Sequence, residues 1–155
     1  MSVLISTSTE FEIDYNIYRT TADLDSTALF EIGPGRHSGQ HWQDGFVFVW
    51  EDAFATAEGI VIRHFPDYDH FSMNDIQKDV GLRITSAWRN AAVKLGSVRD
   101  SSEAAELLNI KEAYHNHLEP IVFSDREKIA VMLSQLADEC ESFYKSDEWI
   151  CVLGM

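Results

Sequence analysis

Close to Pro66 the spacing of apolar residues changes from two to three and four, and this change constrains the fold more than any other feature of the chain. Upstream, Phe11, Ile13, Tyr15 and Ile17 alternate with Glu10, Glu12, Asp14 and Asn16, which lays one apolar and one acidic face on a strand. Thr27 to Ile32 reads as a second strand, running into a turn at Gly33-Pro34-Gly35 and a polar loop to about Gly45. The β-branched and aromatic runs Phe46 to Trp50 and Gly59 to Phe65 read as adjacent antiparallel strands.

Downstream, Ser72 reads as the N-cap of a long amphipathic helix. Its apolar positions are Met73, Ile76, Val80, Ile84, Ala87, Trp88, Ala91 and Leu95, and Gly96 stops it. Ser101 to Leu118 is helical in character, in two pieces broken near Asn109. Pro120 disfavours helix at Glu119, so Ile121 to Phe123 is expected as a short strand. Ser124 and Glu127 have capping-box spacing ahead of a last helix with Ile129, Leu133, Leu136, Cys140 and Phe143 on its apolar face. Trp149 to Leu153 reads as a closing strand. The expected fold class is α+β, a mainly antiparallel sheet with two to four helices packed on one face. With 155 residues and no repeat or linker, residues 1–155 read as a single globular domain.

Charge narrows the function. Asp and Glu number 26 against 12 Lys and Arg, a formal net charge of −14. Such a field opposes nucleic acid, phosphorylated ligands and anionic membranes and draws in cationic surfaces. The basic residues gather between Arg63 and Arg99, which leaves the acid excess in the N-terminal strands and the C-terminal third. The two cysteines, Cys140 and Cys151, fall in apolar segments and read as buried free thiols in a reducing compartment. Met1-Ser-Val-Leu-Ile-Ser lacks the basic stretch of a secretory signal, and no apolar run could span a bilayer, so a cytoplasmic location is expected.

Catalytic motifs are incomplete throughout. Six histidines fall in three pairs, His37 and His41, His64 and His70, and His115 and His117, but none has a third ligand at metal-site spacing. His115-Asn116-His117 spells the letters of a nuclease motif without its surrounding pattern, and the net charge opposes a polyanionic substrate. Gly33 to Gly39 leads to another strand and not into a helix N-terminus, so it is no phosphate loop. Glu103 to Ile110 has the outline of a helix-turn-helix, but the following segment holds a single Lys, with Glu112 and Glu119 at its edges, where a reading helix needs cations. No Gly-x-Ser-x-Gly elbow occurs. The expectation is a protein that is not an enzyme, with no cofactor and no metal.

Aromatic residues beside acids are the remaining clue: Trp42 and Asp44, Trp50 and Glu51, Glu148 and Trp149. Rings supply buried area at an interface while carboxylates steer encounter with a basic surface. In size and charge alone the chain is similar to immunity proteins, which occlude the active sites of toxins. The expected partner is therefore a basic protein, a toxin nuclease in the simplest case. The residues expected to meet it are Glu51, Asp52, Glu141, Asp147, Glu148 and Trp149. Two alternatives stand beside this reading: a DNA-mimic inhibitor of a nucleic-acid-binding enzyme, and a small enzyme with a metal site assembled from His37 and His41 with His64 or His70.

Overall fold

The computed structural model describes residues 12–22, 24, 28–41 and 43–154. It is an α+β fold. Four strands form one antiparallel sheet: β1 (Leu29–Pro34), β2 (Val47–Trp50), β3 (Met73–Gln77) and β4 (Trp149–Leu153), in the order β2-β1-β4-β3. Among the described residues the helices are α1 (Glu51–His64), α2 (Lys78–Leu95), α3 (Ser101–Leu107), α4 (His115–Val122) and α5 (Arg126–Ser146), with a 3-10 turn at Glu112–Tyr114. Five helices exceed the two to four expected. None is long and apolar enough to cross a membrane.

Alternation along the strands sorts the sheet into two faces. Phe30, Ile32, Val47, Val49, Ile76, Ile150 and Val152 point into the main core, where they meet Phe54, Trp88, Leu133 and Leu136 of α1, α2 and α5. Phe46, Phe48, Cys151 and Leu153 form a smaller cluster on the other face, closed by Tyr18 and Leu24. The helices thus cover one face, where Ile13 and Tyr15 also pack, while Tyr18, Leu24 and the loop after β1 lie against the other.

Several segments depart from the sequence expectation, each for a local reason. Residues 12–17 carry the expected alternation, with Ile13 and Tyr15 buried and Glu12 exposed, but they form no ladder; only Tyr18 bridges to Phe48. Residues 10 and 11 of that expected strand, like Thr27 of the next, lie outside the described residues.

Gly59 to His64 is helix, not strand. In α1 every residue from Ala53 to Val61 is buried, so the helix has no polar stripe and its β-branched run imitates a strand. Glu51 and Asp52 in its first turn and Arg63 in its last complement the helix dipole. Gly59 is required there, because a Cβ would collide with the Asn109 carbonyl.

The expected Ser72-capped helix instead begins at Lys78. Asn74 and Ile76 are buried and Met73 and Gln77 exposed, a period of two hidden within the three-residue spacing of Met73 and Ile76. Ile121 to Phe123 belongs to the end of α4, which accommodates Pro120 internally. Ser124 bonds back to the Ile121 carbonyl and does not cap α5, whose N-cap is Asp125. The break near Asn109 is present, with φ at 54°, and the closing strand has the expected bounds.

Candidate functional site

Glu51 and Glu58 stand seven residues apart on α1, almost two turns, so both carboxylates leave the same side of the helix. The chain leaves α1 at Phe65 and folds back over this side as a loop to Ser72. Tyr68 N–H donates to the Phe65 carbonyl at 3.0 Å and Ser72 N–H to the Asp69 carbonyl at 3.2 Å. His70 is thereby inserted between the two glutamates. Its Nδ1 lies 2.5 Å from Glu58 Oε2 and its Nε2 lies 2.7 Å from Glu51 Oε2. A carboxylate only accepts, so a ring carrying both protons serves both contacts, and a ring with one proton serves only one.

Glu58 is fully buried, a position that a carboxylate holds only when partnered. Tyr68 Oη donates to its Oε2 at 2.6 Å, and Lys111 Nζ stands 4.0 Å from Oε1, which makes no hydrogen bond. Tyr114 Oη lies 3.2 Å from His70 Nδ1, and Lys111 stands over the Tyr114 ring. Burial and then Glu58 push the Tyr68 phenol far above its ordinary range. Burial, then Glu58 and Glu51, push Tyr114 up to about 12. Both phenols therefore stay protonated at neutral pH, and Tyr68 keeps its hydroxyl hydrogen for the Glu58 carboxylate.

A general base must reach a substrate proton directly or through one water. His70 is buried and both of its nitrogens are engaged, so the network as built holds a loop in place. A second set of bonds acts to the same end. Asp69 N–H donates to Asn74 Oδ1 at 2.9 Å, while Asn74 Nδ2 donates to the Asp69 and Val152 carbonyls at 2.9 and 3.2 Å. Gly154 lies so close to the loop that a Cβ there would collide with the His70 carbonyl.

What this scaffold presents is Phe71, which is 77% exposed. Its N–H donates to Asp69 Oδ1 at 3.0 Å, and its ring meets the His70 ring at 71° with centroids 4.6 Å apart. Met73, 54% exposed, follows at the start of β3. Among the described residues this is an exposed aromatic on a tied loop, bonded through its N–H to Asp69 and packed on the His70 ring, which Glu51 contacts in turn.

The residues expected to meet a partner fall in three places. Glu51 and Asp52 open α1, at the end of the sheet where β2 and β4 finish; Glu51 belongs to the network above. Asp52 is half-buried, accepts from Ala53 N–H at 2.8 Å, and has its carboxyl raised by burial. Asp147, Glu148 and Trp149 lie at the opposite end, where β4 starts. There Trp149 N–H donates to Asp147 Oδ1, Gln77 donates to Glu148, and the Arg36 guanidinium stands 4.4 Å over the Trp149 ring. Glu141 is on α5, held by Arg89 at 2.6 Å, and that bond draws its carboxyl below the usual range.

The histidine pairs do not gather. His41 Nδ1 lies 2.6 Å from the buried Glu31, and His37 N–H donates to Asp75 Oδ1 at 2.8 Å, both on the outer face of the sheet. His70 packs against Phe30 on the helix-covered face. Adjacent residues Phe30 and Glu31 thus send the two groups to opposite sides of one strand. His64, at the end of α1, is held below its ordinary range by burial and then by Arg63. Among the described residues no group of three or more His, Cys, Asp or Glu side chains is placed to hold a metal ion. Cys140 and Cys151 are buried, and burial pushes both thiols up to about 12.

An open groove of about 570 Å³ lies elsewhere, between residues 12–16 and α5, with Val131 on its wall and a Lys128–Glu12 contact of 4.0 Å at its rim. Glu12, Asp14, Asn16, Lys128 and Gln135 also line it.

Sequence reasoning singled out Glu51 but missed Glu58, Tyr68, Phe71, Lys111 and Tyr114. A signal for Glu58 was present. It is the single charge in the apolar run Ala53 to Ile62, where a carboxylate has to find a partner.

No protein-family model, curated protein or solved structure matches the chain.

Proposed function

We propose that the protein is an acidic binding protein that neutralises a basic protein partner by covering its active site, as an immunity protein or antitoxin covers a toxin nuclease. The observation that carries this reading is Phe71. A buried carboxylate–histidine network, the Asn74 bonds and the close approach of Gly154 all hold a loop whose product is an aromatic ring in solvent. Folding alone gains nothing from exposing that ring. Interfaces are anchored by such pre-ordered aromatics, and ordering them before binding lowers the cost of association. The net charge of −14 supplies steering toward a cationic cleft.

The test is an untagged pull-down from the native source at low salt and again at about 0.5 M salt, where the Debye length is only a few ångströms. The expected result is one stoichiometric basic protein, retained at high salt by apolar contact and lost in Phe71→Ala. Glu51→Gln should slow association, whereas a paired Asp147→Asn, Glu148→Gln change should leave it within about twofold. The opposite pattern would move the interface to the Trp149 end. No basic partner under either condition would sink the reading. DNA competing for the captured protein would turn it toward a phosphate mimic.

A further inference from the structure

We infer that the Phe71 surface recognises a guanidinium group, so that the partner docks by placing an arginine side chain against the Phe71 ring and the Glu51 carboxylate. This rests on the reading of the protein as a binder of a basic partner and names the chemistry of the contact.

Three features converge on the inference. The first is the open ring. The His70 and Phe71 rings meet edge to face, so at most one Phe71 face is occupied by the histidine, and 77% of the residue is in solvent. Among the described residues no cation stands over it. The chain's own cations make such contacts elsewhere on the molecule: Arg126 lies 4.1 Å from the Phe123 ring and Arg36 lies 4.4 Å from the Trp149 ring.

The second is the charge beside the ring. Glu51 contacts His70 through Oε2 alone, and its side chain is 38% exposed, which leaves Oε1 free for a donor from outside. Asp69 is exposed and accepts from the Phe71 N–H through Oδ1. The third is rigidity. His70 locks Glu51 in place, and Asp69 is tied through its backbone to Asn74, so the ring and the carboxylates hold their spacing before a ligand arrives. A planar cation that stacks on a ring while its N–H groups reach a carboxylate uses all three features. An ammonium ion has no plane to stack and no fork of donors, so lysine fits this surface less well.

The experiment needs no partner. The ¹⁵N-labelled full chain is titrated with N-acetyl-arginine methylamide, and separately with the lysine and citrulline counterparts, while amide shifts are followed. The expected result is weak, saturable binding of the arginine compound, with the largest shifts at His70, Phe71 and Ser72. The lysine compound should bind about threefold more weakly, and citrulline, which keeps the plane but lacks the charge, should not saturate. Phe71→Ala should weaken the arginine compound by about fivefold and Glu51→Gln by about threefold. Phe71 is exposed, so its variant is expected to fold, and an unchanged thermal melt checks this. Arginine shifts of equal size in Phe71→Ala, or spread evenly over the acidic surface, would overturn the inference. A basic partner captured equally well by Phe71→Ala would overturn this anchor while leaving the neutralising function standing. Specific arginine binding at Phe71 with no basic partner in the pull-down would do the reverse, supporting the anchor and removing the neutralising function.

Discussion

Glu58 and His70 illustrate how differently two members of one buried network answer to substitution. His70→Ala leaves the Glu58 carboxylate with a tyrosine hydroxyl and an ammonium 4.0 Å away, and removes the link to Glu51. An uncompensated buried charge of this kind costs about 3–5 kcal/mol. Glu58→Gln removes the charge and keeps the shape, so its cost is expected near 1–2 kcal/mol. Equilibrium urea unfolding of the two variants checks the order; a His70→Ala cost below that of Glu58→Gln would mean that the histidine does not compensate the carboxylate. The cysteines offer a second test at this scale. With both thiols buried and pushed up to about 12, neither should react with a thiol reagent at pH 8 until the protein is unfolded in denaturant. Prompt labelling of either in the native state would place it outside the core.

Between elements, α2 and α5 are joined across their outer edge by Arg89, which contacts Asp138 and Glu141 at 2.6 Å each. Arg89 holds the Glu141 carboxyl below its usual range, so the folded state binds that proton less readily than the unfolded chain. The stabilisation is therefore present above the unfolded carboxyl value near 4.3 and is lost as pH falls through the lower folded value. Because the pair is well exposed, Glu141→Gln should cost only about 0.5–1 kcal/mol at pH 7, and wild type and variant should converge as pH falls below the unfolded carboxyl value. A constant gap across that range would assign the effect to packing. The same two helices show what was legible in the sequence. Each has one buried and one solvated side, so α5 and most of α2 could be read from spacing. Helix α1 is buried nearly all round and β3 is only five residues long, so neither left a usable period. The Glu51–His70–Glu58 contact was hidden for the same reason, because it depends on knowing that residues 51–64 form a helix.

For the whole molecule, charge sets the response to solvent. Even if all 12 bases found partners, 14 of the 26 acids would remain uncompensated. Self-repulsion of that size destabilises the compact state, and added salt screens it. Salt also weakens the exposed ion pairs, but those are worth only a few tenths of a kcal/mol each. Repulsion should win. Raising sodium chloride from about 0.02 to 0.5 M at pH 7.5 is expected to raise the melting temperature by several degrees. Chloride is the appropriate salt, since sulfate would strengthen apolar burial itself. The control is built into the chain: near its isoelectric point of about 4.6 the net charge vanishes, and the same salt step should then do little. A melting temperature that falls with salt at pH 7.5 would mean that local pairs outweigh the net field. The long-range steering invoked for partner capture would then lose its physical basis.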